Sequence, residues 1–594
     1  MALPNLPQTP KSEPKLKSIL KTPGDSSPSS SPRGNSGGVY FEPPNDFEET
    51  IVAAANNHNS LNREKLDDYV THMKNQKGDA LVGWLQKIQE NLSHLKPSLE
   101  TFVLAILNIP WSEQEKPVIS AYKHFLVNLI SAQSYYTKPV IKMLLHKMQG
   151  NVENIETESE NDNGIHDTLL SVIRVSPLAA NVAISNYSKF CMPFMATKHS
   201  HMHANYIRNL LKITKYQADL RIPILACITE RLVQLDAELP LGEELFDDEE
   251  EEEETVKSRQ DLCRDNLDAS MKVMYEYINE NHKIMSEEAF ENFFKDFLQV
   301  FEANILPSYK TGHVQFLMFY IASLRPEKIL RLLDFFWKKF VSFNAPSIVR
   351  QTSIAYVASF MARAKFIDSS LLRSYLKKIT EWVHMYLNNL NLTSDYSFVD
   401  LQAHGPFYAA CQAVLYMLAF RHEELVEGPK SLQDLSKLRL NRIVTCSLNP
   451  LKVCLPPVVK NFAAIARHYQ LAYCETVIQK NNRLNLPIVG NMSSNTSVIG
   501  EAKPALLDTF FPFDPYRLQL SKSYVAEHYR EYQGSLLLED DDEEDLESGN
   551  EEEVEEDIVK PPLTKRRRLN SSGSFMDTTF GYEDSPGFLR VDPV

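Results

Sequence analysis

Glycine is scarce in this sequence, with 19 of 594 residues, about 3% against an average near 7%. Folds built on glycine turns, such as dinucleotide-binding sheets, β-propellers and barrels, are therefore disfavoured. The seven cysteines are irregularly spaced and include no C-x-x-C pair, which argues against a disulfide framework and a zinc ribbon. These absences favour a chain composed mainly of helices.

Catalytic and nucleotide-binding motifs are also missing. The sequence contains no G-x-x-x-x-G-K-[ST], no G-x-G-x-x-G and no H-E-x-x-H. His199, His201 and His203 form an H-x-H-x-H cluster, which would gather three imidazoles on a strand but splays them around a helix. Their context predicts a solvated helix start, with zinc as the weaker alternative. We expect no enzymatic activity, no metal and no cofactor.

Long apolar runs are missing as well. The longest, residues 409–420, is too short to span a membrane and is interrupted by Gln412. The first residues carry no apolar signal core. We therefore expect an intracellular protein with no membrane partner. Three histidines among apolar or aromatic neighbours are interpreted as core residues: His313, His384 and His404.

The net charge of −16 hides a basic body. Three stretches without Lys or Arg hold 30 of the 78 acidic residues: 151–167, 243–254 and 539–557. Outside them, 48 acidic residues remain against 62 basic ones. Such a body suits an acidic partner surface or a nucleic acid better than the bulk charge suggests.

Apolar residues recur at helical spacing through most of the chain. Tyr122, Phe125, Leu126 and Leu129 share one face of a helix, and helices are also predicted at 346–366 and 455–480, among others. Many helices in succession without an exact period predict an all-α, HEAT- or armadillo-like solenoid, with an irregular helical globule as the alternative.

We divide the chain into three parts. Residues 1–44 form a Pro/Ser-rich tail that is predicted to be disordered. Residues 45–533 form the solenoid, with acidic insertions at 151–167 and 243–257. Residues 534–594 form a second disordered tail, which is acidic and carries a basic cluster.

Within the body, Arg350, Arg363 and Lys365 belong to a basic interval of about forty residues. On solenoid helices such cations could line a face that meets an acidic partner or a phosphate backbone. An ordinary solvated surface is the equally good alternative.

The tails carry localisation and regulatory signals. Lys565, Arg566, Arg567 and Arg568 follow two prolines and predict recognition by a nuclear import receptor. Candidate phosphorylation sites precede proline, precede acidic residues or follow an arginine, and protein kinases are therefore expected partners. These sites are Ser27, Ser31, Ser548, Ser571 and Ser585 in the tails and Ser159 in the acidic insertion 151–167.

Seven segments together resemble one family. They are 109–111 (IPW), 129–133 (LISAQ), 313–320 (HVQFLMFY), 358–367 (ASFMARAKFI), 404–413 (HGPFYAACQA), 448–456 (LNPLKVCLP) and 507–515 (LDTFFPFDP). In this order they resemble the RNA polymerase I-specific transcription initiation factor Rrn3 family, called TIF-IA in animals. The resemblance runs from about residue 45 to 530 and is strongest at 305–520.

The resemblance implies a HEAT-repeat factor without catalytic activity. Family members bind RNA polymerase I near its stalk, bridge it to the promoter-bound selectivity or core factor for ribosomal RNA synthesis, and are regulated by phosphorylation. Their polymerase-binding surface includes serines of the N-terminal half. Ser131 lies in a matching motif, Ser134 is adjacent, and Lys138 follows, so these three are candidate polymerase-binding residues. Helical periodicity places both serines on the helix that carries Tyr122, with Ser131 about 160° from the apolar stripe, so we expect Ser131 to face solvent.

This reading predicts a nuclear and nucleolar factor of transcription initiation and ribosome biogenesis. The competing class is a solenoid nuclear transport adaptor or another protein-binding scaffold, but the chain has only four Trp and no Asn/Trp cargo ladder. The chain also lacks the usual motifs of a sequence-specific DNA-binding protein. The sequence leaves open whether the free protein forms a homodimer and whether it makes a weak contact with DNA.

Overall fold

The structure is a computed structural model and describes residues 43–56, 60–112, 114–150, 158–239, 257–308, 311–390, 401–485, 507, 511–513 and 515–532. Across these ranges the chain is helical, and its one β-type pairing is an isolated bridge between Ala364 and Tyr529. The all-α prediction is confirmed.

The first twelve helices build the N-terminal half. They are α1 (Phe47–Asn56), α2 (Ser60–Lys74), α3 (Gly78–Glu90), α4 (Glu100–Leu107), α5 (Lys116–Ala132), α6 (Thr137–Lys147), α7 (Glu158–Val175), α8 (Pro177–Tyr187), α9 (Ser200–Tyr216), α10 (Arg221–Asp236), α11 (Arg259–Ile284) and α12 (Glu287–Val300).

The remaining helices build the C-terminal half. They are α13 (Phe316–Ser323), α14 (Pro326–Val341), α15 (Ser347–Arg363), α16 (Ser369–Asn389), α17 (Leu401–Leu425), α18 (Pro429–Ser436), α19 (Leu440–Val444), α20 (Pro450–Val453), α21 (Pro456–His468), α22 (Glu475–Asn485) and α23 (Lys522–Ala526).

Helices pack mainly on near neighbours in the chain. α3 packs on α5, α6 on α8, α9 on α11, and α15 on both α14 and α17. Several helices begin with proline, which suits a first turn because its missing N–H has no partner there anyway; α8, α14 and α21 are examples. Local packing of successive helix pairs is the arrangement of an α-solenoid, as predicted.

Two predicted boundaries are wrong. The segment 455–480 is two helices, because the chain turns after His468 and Gln470 adopts a left-handed φ of 54°. The predicted acidic insertion 151–167 is helical from Glu158 onward, as part of α7. His166 of this helix is buried, so residues 158–167 belong to the helical body and are not an insertion. The predicted insertion 243–257 lies almost wholly outside the described residues.

The last described residues return to the middle of the solenoid. We call 507, 511–513 and 515–532 the strap. Its backbone N–H groups are bound by side chains of distant helices: that of Phe513 donates to Ser359 Oγ at 3.0 Å, and that of Ser521 donates to the buried Asp268 carboxylate at 2.9 Å. The strap therefore covers α11 and α15 and closes the core between them.

Among the described residues, no helix is long and apolar enough to cross a membrane.

Candidate partner-binding surfaces

The candidate polymerase-binding residues lie where α5 ends and α6 begins. The apolar stripe predicted for α5 is fully buried, at Tyr122, Phe125, Leu126 and Leu129. The α-helix ends at Ala132, and a 3-10 turn over Ser134–Tyr136 leads into α6. Ser134 therefore belongs to the turn, which corrects the prediction that one helix carries both serines.

Ser131, Ser134 and Lys138 are all exposed at this site, which we call the α5–α6 corner. The Ser131 hydroxyl donates to the Val127 carbonyl one turn earlier, at 2.8 Å. This local bond satisfies the hydroxyl without a partner from another helix. The predicted exposure of Ser131 is confirmed, and the structure brings all three candidate residues to one corner.

Two tyrosines shape the corner. Tyr136 is buried, and its hydroxyl donates to the Lys96 carbonyl at 2.8 Å, which holds the turn against the preceding helices. Tyr135 is exposed, and its hydrogen bond with Glu100 raises the pKa of Tyr135. The corner therefore presents a carboxylate as well as the Lys138 ammonium group.

A neighbouring surface feature was not predicted from the sequence. Leu178 and Val182 of α8 are 84% and 56% exposed and lie one turn apart; we call them the α8 stripe. The nearby Phe190 and Phe194 are also exposed. The helix that carries the stripe packs on α6, which is the second helix of the corner. One sequence signal could have indicated this surface: α8 contains no charged residue on either face.

The predicted basic face in the middle of the chain is not formed. Arg363 is 2% exposed, and only Lys365 is fully exposed at the surface. Arg350 is half-buried, and its Nε donates to the Phe340 carbonyl at 2.8 Å. Arg350 and Arg363 are also separated by thirteen residues of α15, about 20 Å along the helix axis. The three residues therefore cannot present one continuous surface.

Arg363 is buried because the strap covers it. Its guanidinium lies over the ring of Phe420, 4.3 Å from the centroid, and over the ring of Tyr529 at 5.3 Å. One guanidinium nitrogen donates to the carbonyl of Arg530. Two of these three contacts come from the strap, about 170 residues further along the chain, so helical periodicity could not reveal them.

A second arginine is buried beside it. Arg421 is 2% exposed and donates to the carbonyls of Met361 and Ile367 at 2.9 Å each. Its guanidinium also pairs with Glu424, which pairs with Arg530 of the strap. These charges are held by backbone carbonyls and one carboxylate, which is the pairing that buried ions require.

The histidines have structural partners. His203 is buried, not solvated as predicted; its Nε2 lies 3.0 Å from the Phe194 carbonyl, and burial lowers the pKa of His203 to about 4. The core interpretation of His313 is confirmed, because its Nδ1 lies 2.8 Å from the buried Asp236 carboxylate. His384 and His404 likewise bond to Leu438 and Tyr386. The described residues contain no cluster suited to a metal.

Apart from Ser159, the remaining predicted sites lie outside the described residues. The cluster Lys565–Arg568 and the candidate phosphorylation sites Ser27, Ser31, Ser548, Ser571 and Ser585 are outside the described residues. Ser159 lies in the first turn of α7.

Comparisons with known proteins agree with this architecture. The family described as RNA polymerase I specific transcription initiation factor RRN3 matches residues 45–265 and 247–535. The mouse RNA polymerase I-specific transcription initiation factor RRN3 is 31% identical over 503 residues, which cover 76% of each protein. The Schizosaccharomyces pombe factor rrn3 is 26% identical over 500 residues, covering 76% of this chain and 80% of the relative.

A solved structure has the same fold. The crystal structure of RNA polymerase I transcription initiation factor Rrn3 superposes with a TM-score of 0.63 at 22% identity, covering 82% of this chain and 98% of that one. The family match extends over most of the chain and takes in nearly every described residue, from α1 to the strap. The chain therefore belongs to the RRN3 family of RNA polymerase I-specific transcription initiation factors.

Proposed function

We propose that this protein binds RNA polymerase I near its stalk and bridges it to the promoter-bound selectivity or core factor, so that ribosomal RNA genes are transcribed. The supporting observation is the family match over residues 45–535, together with relatives named as polymerase I-specific initiation factors in mouse, S. pombe and Caenorhabditis elegans. That role is non-enzymatic and nuclear.

The α5–α6 corner and the α8 stripe are the polymerase-binding surface in this proposal. Exposed apolar side chains that lie together mark protein–protein contacts, and Leu178 and Val182 supply them on α8, which packs on α6. The small hydroxyls of Ser131 and Ser134 allow close approach of a partner. A negative charge at the same positions would have to be desolvated on docking and would repel an acidic partner surface.

The test is recovery of purified polymerase I by Ser131→Asp combined with Ser134→Asp. We expect about a tenfold loss of affinity, equivalent to about 1.4 kcal/mol. The matched control is Ser370→Asp with Ser374→Asp, which adds the same charge at two exposed serines of α16. A further control, Ser131→Ala with Ser134→Ala, removes the hydroxyls without adding charge and should bind normally.

The outcomes separate two explanations. Equal recovery by the corner variant and the α16 variant would contradict a polymerase-binding corner. If the alanine variant also loses binding, the hydroxyls themselves make contacts and the charge argument is wrong. Leu178→Ser with Val182→Ser should reduce recovery independently of charge, and normal binding by that variant would remove the α8 stripe from the surface.

Nuclear import is assigned to the basic cluster. Replacing Lys565, Arg566, Arg567 and Arg568 with alanine removes four adjacent cations and should move a fluorescent fusion from nucleus and nucleolus to cytoplasm. Unchanged nuclear accumulation would show that another segment is recognised by the import receptor.

Phosphorylation of the tails and of Ser159 is the proposed regulation, since each phosphate adds nearly two negative charges. Mass spectrometry of the protein from growing and starved cells should show changed occupancy at Ser27, Ser31, Ser159, Ser548, Ser571 or Ser585. Co-purified proteins distinguish the functional classes: polymerase I and promoter-factor subunits support the proposal, whereas import cargoes alone would support the transport adaptor.

A further inference from the structure

The C-terminal end of the solenoid is strongly basic. Residues 428–485, which include α18 to α22, hold nine Lys and Arg residues but only two carboxylates, Asp434 and Glu475. All of these residues are within the described part of the chain. This is a local excess of seven positive charges in a protein whose net charge is −16.

α21 presents part of this charge on one face. Its apolar side, which includes Val458, Phe462 and Ile465, is buried against the solenoid. Lys460 and Arg467 are exposed and are seven residues apart, so they lie on the same face about 10 Å from each other along the axis. The sequence of α21 contains no carboxylate. We call this surface the α21 basic face.

The described chain ends on the same helix. The hydroxyl of Tyr532 donates to Asn461 Oδ1 at 2.6 Å, and its ring packs on Phe420 with centroids 4.8 Å apart. Asn461 is next to Lys460. The most acidic run of the protein, residues 539–557 with 14 carboxylates, begins after only six further residues. Only six residues therefore separate the acidic run from a contact with α21.

We propose that the acidic run 539–557 binds the α21 basic face of the same chain and shields the basic end of the solenoid from other polyanions. This inference is independent of polymerase binding. It assigns an occupant to a surface that the family match does not explain, and it gives the acidic tail a role other than solvation.

Distance and tethering both favour this occupant. Six extended residues reach about 20 Å, which is enough to place the first carboxylates over both Lys460 and Arg467. A short tether holds the acidic run at an effective concentration in the millimolar range. Single exposed ion pairs are weak, but several can form at once on a tethered segment, and their sum is sensitive to salt.

The first test is zero-length carbodiimide crosslinking of the full-length protein, read by mass spectrometry. We expect amide crosslinks between Lys460 and carboxylates of 539–557 at low salt, reduced at least about fivefold at about 0.5 M salt because the charges are screened. Lys74 and Lys77, which are exposed in the N-terminal half, serve as reference amines. Crosslinks to Lys460 no more frequent than those to the reference lysines would overturn the proposal.

The second test measures the shielding with a short fluorescent DNA duplex as the polyanion probe. Converting ten of the 14 carboxylates of 539–557, those of residues 539–552, to their amides should tighten binding of the duplex about tenfold. The matched control converts the ten carboxylates of 243–254 in the same way. Equal tightening by both variants would show an effect of net charge alone and would overturn the proposal.

A third variant links the two measurements to one surface. Lys460→Glu with Arg467→Glu should remove the gain in duplex affinity that neutralising 539–557 produces, whereas Lys74→Glu with Lys77→Glu should leave that gain intact. If the gain in duplex affinity persists in the Lys460→Glu, Arg467→Glu variant, the acidic run acts at another surface and this assignment is wrong.

Discussion

Polar side chains are exposed at the α5–α6 corner, whereas under the strap, at the centre of the molecule, they are buried. At the corner, Ser131 makes a bond to its own helix, and Lys138 remains exposed. Under the strap, Arg363 and Arg421 are buried among rings and backbone carbonyls. The comparison shows that a cation in a solenoid helix is a surface residue only when no distant segment covers it.

The cause lies in sequence distance. The hydroxyl of Ser131 bonds to a carbonyl four residues earlier, so a helical pattern suffices to place it. The residues that surround Arg363 instead belong to α17 and to the strap, which lie about 60 and 170 residues further along the chain. Ala364 and Lys365 are paired with the strap backbone too, since the Lys365 N–H donates to the His528 carbonyl at 3.0 Å.

The largest expected effect is the difference in the free energy of unfolding between substitutions of two neighbouring cations. Arg363→Glu places a carboxylate against two ring faces in a buried site, and we expect it to lower the free energy of unfolding by about 5 kcal/mol or more. Lys365→Glu, two residues away but exposed, should change it by less than about 0.5 kcal/mol. Denaturant unfolding of both variants is the measurement, and similar values for the two would remove the contrast between buried and exposed cations.

Acid should act on the N-terminal half through buried histidines. Burial lowers the pKa of His166, like that of His203, to about 4. The unfolded chain binds these protons near pH 6.5, so the free energy of unfolding should fall as the pH is lowered from 6.5 to about 4, by about 2–3 kcal/mol per histidine. Above pH 6.5 neither histidine contributes a pH dependence.

The measurement is the slope of stability against pH in the wild type and in His166→Gln. The variant loses stability at pH 7, because His166 bonds to both Asn209 and Tyr216, but its slope between pH 6.5 and 4 should be smaller. An unchanged slope would mean that carboxylates alone account for the acid sensitivity.

The smallest expected effect is at the corner. Ser131→Asp with Ser134→Asp should lower the free energy of unfolding by no more than about 1 kcal/mol, because Ser131 is near the C-terminal end of α5, where a negative charge opposes the helix dipole. Thermal unfolding checks this. A larger loss would show that the corner hydroxyls are part of the packing and are not available to a partner.

Helix positions could be predicted where apolar residues recur at helical spacing along one face. Tyr122, Phe125, Leu126 and Leu129 are buried as their spacing indicated, and α15 falls within 346–366. The helical part of 151–167 was missed because residues 158–167 hold four carboxylates and a single large apolar residue, Ile165, which lies next to the buried His166. The absence of charged residues from α8 was the one local signal for its exposed stripe, and that signal does not distinguish an apolar residue that is covered from one that is not.

The sequence by itself determined the helices, their solenoid order, the family and the exposed corner, because each depends on periodicity, on ordered motifs or on contacts within one turn. Only the tertiary structure decided which cations are available to a partner. The strap buries Arg363 and ends beside the α21 basic face, and both facts depend on contacts between residues far apart in the chain, which no local pattern encodes.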